Sequence, residues 1–310
     1  MRILIISFYY APDLSAGSFR ATSFIKTLKE HVTNNDIIEV ITTIPNRYLS
    51  YKIDAKEIER IDNIVIRRIR VPLHQSGFYD QSKSFLTYFL KTLAYIKNKK
   101  YDIVFATSGR LFSAFLGAII ARYKRIPLYL DIRDIFTETM SSILGNSLLN
   151  YFINFFKLIE KFTIKSAKKI NFVSEGFVSY FKEIYGDNLL YSFYPNGIDD
   201  EFMNFEYNSY IKKEKSEIVT MTYTGNIGEG QGLEKIVPLI AKRFSNIIFQ
   251  IIGDGGRKNT LTDATKELKN VKLLNPVNRN ALIQYYKNTD FLFLHLNNYD
   301  AFKRVLPSKI

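Results

Sequence analysis

Short apolar runs alternate with longer stretches of helical period along nearly the whole chain. Runs at residues 3–7, 37–42, 64–70, 103–106, 128–131, 170–173 and 190–194 read as buried strands, and stretches 18–32, 85–98, 111–123, 148–166 and 175–185 read as helices between them. Strands that alternate with helices pair in parallel, because each return to the same sheet edge needs a crossover long enough to be a helix. The alternation lapses once. Tyr194-Pro195-Asn196-Gly197 is dense in turn formers, and residues 204–217 have no sustained apolar period. It then resumes, with strands at 219–224, 247–253, 271–274 and 291–294 and helices at 233–244, 259–268 and 279–288. The pattern predicts an α/β chain of two Rossmann-like, doubly wound domains, 1–203 and 218–310, joined by a linker at 204–217. A doubly wound domain ordinarily has about five or six strands, so the second, with four, reads as incomplete and the chain as truncated.

A length of 310 residues suits two cores, since single cores stop growing at about 250–300 residues. With 46% apolar and 24% charged residues the composition is that of a folded protein, and no segment reads as disordered. The absence of Cys excludes disulfides, thiolate metal sites and a cysteine nucleophile, and fits a reducing, cytoplasmic compartment. The opening MRILIIS is too short for a signal peptide, and the longest apolar run elsewhere, 111–121, falls well below the roughly 20 residues of a membrane-crossing helix. The net charge is +13, of which residues 51–125 carry +9, from 15 Lys and Arg against 6 Asp and Glu. Such a field attracts polyanions: nucleic acid, an anionic lipid surface or a phosphorylated substrate.

The sharpest local signal is Gly225-Asn226-Ile227-Gly228-Glu229-Gly230-Gln231-Gly232, four glycines in eight residues between a strand and a helix. Glycines let main-chain N–H groups approach a ligand, and the helix start adds unpaired donors and positive potential, a combination suited to a diphosphate. A flexible turn without a ligand explains the same residues. Gly253-Asp254-Gly255-Gly256 leaves the next strand at the same, carboxyl-terminal sheet edge, where open α/β sheets hold ligands, or is a plain tight turn. Asp131, Arg133, Asp134 and Glu138 put three carboxylates and a guanidinium within eight residues after a strand. A carboxylate there can take a proton from an acceptor hydroxyl, with Arg133 keeping a neighbour ionised or meeting a phosphate; an internal ion pair is the alternative. Near the amino terminus Gly17 and Arg20 lead into a helix, with Arg20 expected to face the cleft, or Ser18 simply caps that helix. His31, His74 and His295 lack ligand spacing, so no metal site is expected. Residues 148–169 are aromatic on one side and basic on the other, as for a helix lying on an anionic membrane or one buried along its apolar face.

In order and spacing these motifs resemble the GT-B glycosyltransferases of retaining family 4, in particular those that build bacterial O-antigen, lipopolysaccharide and capsule. The carriers are MRILIISFYYAP with Gly17 and Arg20, DIRD at 131–134 with Glu138, VSEG at 173–176, YPNGID at 194–199, GNIGEGQGL at 225–233, IIGDGG at 251–256, LLNPVNRNAL at 273–282 and AFKRVLPSK at 301–309. The resemblance implies transfer of a hexosyl or N-acetylaminosugar unit, with retention, from a nucleotide sugar (UDP as the family-level expectation) to a lipid-linked saccharide. It implies no metal and no other cofactor. Donor contacts would fall on Gly225, Asn226, Gly228, Gln231, Gly253, Asp254, Gly255, Arg304 and Lys309. Gly17, Arg20, Arg133 and Glu138 would lie on the acceptor and phosphate side, with Asp131 and Asp134 catalytic. Many members carry Arg and Lys at the glycine loop where this chain has Asn226 and Gln231, and a Glu where Arg304 stands; a second Glu, which holds the ribose, would fall beyond Ile310. The resemblance further implies a cytoplasmic protein peripheral at the inner face of the membrane. A sugar-nucleotide epimerase of the same architecture and a non-catalytic remnant are the competing readings. Nucleic acid is not an expected partner, because only charge supports it.

Overall fold

The protein, seen in a computed structural model, is described over residues 1–48, 50, 53–72, 78–108, 111–138, 149–198, 200–203 and 218–307. Its first sheet contains β1 (Arg2–Ile6), β2 (Ile37–Thr43), β3 (Ile58–Ile61), β4 (Ile64–Ile69), β5 (Ile103–Thr107), β6 (Leu128–Ile132), β7 (Lys169–Phe172) and β8 (Tyr191–Phe193). They lie in the order β3-β4-β2-β1-β5-β6-β7-β8, and every neighbouring pair is parallel except the antiparallel β3 and β4. The helices of this half are α1 (Ala16–His31), α2 (Phe78–Ile96), α3 (Leu111–Lys124), α4 (Leu149–Ser166) and α5 (Glu175–Tyr185).

β1 shows why its strands read as unbroken apolar runs. Ile3 and Ile5 join the cluster containing Ala21 and Ile25 of α1, whereas Leu4 and Ile6 join the one containing Tyr88 of α2 and Leu116 of α3. Successive side chains point to opposite faces, so a strand covered by helices on both has no solvated position. Two polar side chains that enter this core are well partnered. The Tyr88 hydroxyl donates to Ile41 O at 2.8 Å. The buried Glu39 carboxylate receives Lys99 at 2.5 Å, Arg2 at 3.0 Å and the hydroxyls of Tyr95 and Tyr101 at 2.7 and 2.8 Å.

After the short helix α6 (Asp200–Met203), the second sheet contains β9 (Val219–Asn226), β10 (Ile247–Asp254), β11 (Val271–Leu274) and β12 (Phe291–Leu292), ordered β11-β10-β9-β12 and parallel throughout. α7 (Leu233–Arg243), α8 (Lys258–Thr265) and α9 (Arg279–Lys287) connect them. Its core gathers Tyr223, Phe249, Ile251, Leu233, Val237 and Leu261. The expected linker 204–217 lies outside the described residues, as does His74.

Several elements differ from the sequence reading. β3 was not expected: Ile58-Glu59-Arg60-Ile61 is a largely exposed edge strand with charges inside it, reached through a turn at Asp62 with φ +52°. α2 starts at Phe78 instead of residue 85, because its early residues 80–83 face water and carry no apolar period. Ser15, not Ser18, caps α1, its hydroxyl accepting from Ser18 N at 3.1 Å, while Ser18 itself is buried. The last expected strand, 291–294, shrinks to Phe291–Leu292, since only these residues pair with β9. Among the described residues no helix is long and apolar enough to cross a membrane.

Candidate functional site

The carboxyl-terminal edges of the two sheets meet, and loops that leave them touch across the seam. From the first domain come the segment after β2, the one after β6 and the start of α5; from the second come the two glycine turns and the 3-10 turn Asp300–Arg304. The Arg47 guanidinium donates to Asn226 Oδ1 at 2.8 Å, and Ser50 Oγ donates to the Asp254 carboxylate. On the other flank Arg304 reaches Glu138 at 3.3 Å and Ser179 Oγ at 3.1 Å, while Ser174 Oγ donates to Arg304 O at 2.5 Å. A Cβ at Gly176 would stand 2.6 Å from Arg304 O, so only glycine allows this approach. A groove of about 600 Å³ opens here, lined by Glu138, Gly176, Ser179, Asp300, Lys303 and Arg304.

The glycine-rich loop joins β9 to α7. Gly232, the residue before α7, has φ +56°, a left-handed conformation that favours glycine, and it lies against Asn297. Asn226 Nδ2 donates to Gln231 Oε1 at 2.8 Å, and the same oxygen accepts Gly228 N–H at 3.2 Å. The second turn is bonded to the first: Ile227 N donates to Asp254 O at 2.9 Å, and Gly253 pairs with Gly225 in register. Asp254 Oδ1 accepts Gly255 N–H at 2.8 Å. A ring of side chains braces the loop from outside, with Glu229 bound by Arg257, Lys235 and Tyr299, and a nitrogen of His295 2.7 Å from Gln231 O.

Asp131 is the penultimate residue of β6, with its carboxylate buried. Arg20 Nε donates to Oδ2 at 2.9 Å and Nη2 to Oδ1 at 2.8 Å; Asn171 Nδ2 adds a bond to Oδ1 at 2.8 Å and Thr107 Oγ1 a longer one to Oδ2 at 3.4 Å. Arg20 also donates to Pro195 O at 2.8 Å and Tyr194 O at 3.0 Å. The pair thus ties α1, β6, β7 and the turn after β8 together. The cation hydrogen-bonded to Asp131 is Arg20, brought from α1; Arg133, just past the end of β6, feels the charge of Asp131 while its own guanidinium lies against Gly17.

Arg133 turns toward Gly17: a Cβ there would lie 3.0 Å from Nη1, and Nε is buried without a hydrogen-bond partner. Burial pushes this guanidinium down to about 10, with Asp131 and Asp134 drawing it up and Arg20 adding to the fall. Asp134 lines a small enclosed void with Ser108 and Glu160. Burial also raises the Glu160 carboxyl, against the hydroxyls of Thr137, Tyr185 and Tyr180 that bond to it. Lys309 lies outside the described residues.

Sequence reasoning missed Arg47, Ser50 and Glu160. Arg47 and Ser50 follow a strand at the same sheet edge as the residues that were singled out, which was the available signal. Nothing in the sequence marked Glu160, one acidic residue in an amphipathic helix. Among the described residues no group of three or more His, Asp or Glu is placed to hold a metal ion.

No protein-family profile and no curated protein sequence matches the chain. Solved structures do. Sucrose-phosphate synthase from Thermosynechococcus elongatus superposes with a TM-score of 0.67 at 11% identity over 94% of this chain and 74% of that one. WaaG, a glycosyltransferase involved in lipopolysaccharide biosynthesis, gives 0.64 at 15% identity over 96% and 75%. UDP-GlcNAc 2-epimerase from Neisseria meningitidis, solved bound to UDP-GlcNAc, gives 0.59 at 13% identity over 94% and 77%. At these identities the likeness is one of fold: the chain has the GT-B architecture, two Rossmann-like units with facing sheet edges.

Proposed function

We propose that this chain is a glycosyltransferase that moves a sugar, with retention, from a UDP-linked donor to a lipid-linked saccharide of O-antigen or capsule synthesis. The observation that carries the reading is the position of the glycine-rich loop at the carboxyl edge of the second sheet, in direct contact with the first domain through Asn226. A donor diphosphate between the sheets would meet the N–H groups of this loop and the positive end of α7. Gly253, Asp254 and Gly255 shape the adjoining wall, and Arg304 is assigned to the donor side.

The acceptor would lie against the first domain, near Gly17, Arg133 and Glu138. In the transfer, an acceptor hydroxyl oxygen bonds to the anomeric carbon as the bond to the diphosphate breaks, with its electrons, on the same side. The hydroxyl proton goes to a carboxylate. Asp134 is assigned that role here, and Asp131, engaged by Arg20, is assigned to hold the edge in shape. Main-chain amides and cationic side chains stabilise the leaving diphosphate, with no metal ion assigned to the step.

The acceptor class and a place at the inner membrane face draw on α4. Its buried face carries Phe156, Ile159 and Ile164, while its exposed face carries Phe155, Leu158 and Phe162 beside Lys157, Lys161 and Lys165. Aromatic groups flanked by lysines suit an anionic bilayer surface.

An epimerase is the second reading, favoured by the likeness to UDP-GlcNAc 2-epimerase. Incubation with radiolabelled UDP, GDP and dTDP sugars, with and without lipid-linked acceptor extract, separates the two. Label entering the lipid fraction supports the transferase, interconversion of free nucleotide sugars supports the epimerase, and an unchanged pool in every condition contradicts both.

A further inference from the structure

We infer that Arg47, from the first domain, is the cation that grips the donor diphosphate at the glycine-rich loop of the second domain, so that donor binding and closure of the cleft are one event. The inference rests on the nucleotide-sugar reading and adds to it a residue and a mechanism of coupling.

Residues 225–232 contain no Lys or Arg, and their one charged side chain, Glu229, is negative. A diphosphate held there by amides alone would keep most of its charge unmatched in a half-buried site, which is costly. Among the described residues, four other cations near the seam are engaged. Arg20 is spent on Asp131, Pro195 O and Tyr194 O. Arg304 is paired with Glu138, and Arg257 with Glu229. Arg279 stacks on Phe19 and Phe202, 4.7 and 5.0 Å from the ring centres.

Arg47 is placed differently. Its guanidinium lies 5.9 Å from the Tyr9 ring centre and 5.5 Å from that of Tyr48, which limits its rotamers and aims it at the loop. Asp13 is the carboxylate that acts on it, yet Asp13 accepts main-chain N–H groups, Asn46 N at 3.0 Å among them, and forms no ion pair with Arg47 among the described residues. The atoms Arg47 meets are uncharged: the hydroxyls of Tyr9 and Tyr48 and, across the seam, the oxygen of Asn226 at 2.8 Å. From there the contacts run through Asn226 Nδ2 and Gln231 Oε1 to Gly228 N–H. Both amide oxygens in this relay, Asn226 Oδ1 and Gln231 Oε1, receive donors that a phosphoryl oxygen would bind more strongly, since hydrogen bonds to ionised acceptors are about twice as strong as neutral ones. Ser50, on the same segment, contacts Asp254 of the second glycine turn, so the whole segment disengages if the cleft opens.

Titration calorimetry tests this with UDP, GDP and dTDP, each beside its monophosphate, on the wild type, Arg47→Met and the double variant Arg47→Met/Asn226→Arg, which moves the guanidinium onto the loop. Circular dichroism checks each fold, and Arg47→Gln replaces Arg47→Met if the latter does not fold. The expected result is that Arg47→Met weakens the bound diphosphate about tenfold or more, leaves its monophosphate within about twofold, and that the double variant recovers the diphosphate preference. Equal diphosphate affinity in wild type and Arg47→Met overturns the inference and leaves the nucleotide-sugar reading standing. Equal losses for both nucleotides without rescue overturn it as well, in favour of a structural role. A wild type that binds none of the three diphosphates overturns both.

Discussion

Arg20 and Asp131, 111 residues apart, form a two-pronged ion pair with contacts of 2.9 and 2.8 Å, and the arginine continues to the carbonyls of Tyr194 and Pro195. Breaking a pair whose acid is buried leaves an uncompensated charge, at a cost of about 3–5 kcal/mol. Asp131→Ala should therefore lower the thermal midpoint of the first domain strongly, while Asp134→Ala should leave it within a few degrees and abolish sugar transfer. Differential scanning calorimetry beside the radiolabel assay checks both.

Two of the buried carboxyls of the first domain, Glu39 and Glu160, respond to pH in opposite senses. Burial would raise Glu39, but Lys99, Tyr95 and Tyr101 outweigh it and hold the group below its ordinary value. Its stabilising contribution is present above the unfolded-state value of about 4.3 and is lost as pH falls through the depressed one. Glu160 is raised, so the native state retains its proton longer than the unfolded chain, and that contribution is lost as pH rises from the ordinary carboxylate range through the raised value. Urea denaturation of Glu160→Gln against wild type from about pH 2 to 8, a range that extends below the ordinary carboxylate value for Glu39 and above it for Glu160, should show the variant gaining relative stability as pH rises. Glu39→Gln should instead lose the least relative stability at the acid end.

Gly176 and Arg304 are in contact across the seam, where an added Cβ would come within 2.6 Å of a carbonyl oxygen. Gly176→Ala should push the Asp300–Arg304 turn away at a cost of about 1–3 kcal/mol and disturb the ion pair with Glu138. Calorimetry should show a lower midpoint for the variant, with weaker binding of whichever nucleoside diphosphate the wild type binds.

Phe155, Leu158 and Phe162 together expose a large apolar area on α4. Each inserted side chain contributes about 1.5–3 kcal/mol, so Phe155→Ser with Leu158→Ser should reduce sedimentation with phosphatidylserine vesicles at least about tenfold. Replacing Lys157, Lys161 and Lys165 with Glu should have the larger effect at low salt, where charge attraction is least screened.

The period of the apolar runs made the two sheets and most helices legible, because strands buried on both faces leave no polar gap to mistake. β3 escaped that logic as an exposed edge strand whose charges break the run. At the site, the loops were legible and the pairings were not. Sequence offered Arg133 as the cation for a neighbouring carboxylate; it gave no sign that the fold would bond Arg20 to Asp131 from across the sheet, or bring Arg47 to a loop 179 positions away. Which side chain fills which approach depends on strand order, and strand order is set by packing that no local motif encodes.

The central claim is a diphosphate lodged between facing sheet edges on a bed of main-chain N–H groups. A crystal structure with UDP, or with whichever nucleoside diphosphate binds, tests it most directly. The account predicts phosphoryl oxygens within hydrogen-bond distance of Gly228 N and the start of α7, on the side that faces Tyr9 and Tyr48. A nucleotide bound elsewhere, with Asn226 and Gln231 still closed over the loop, would contradict it.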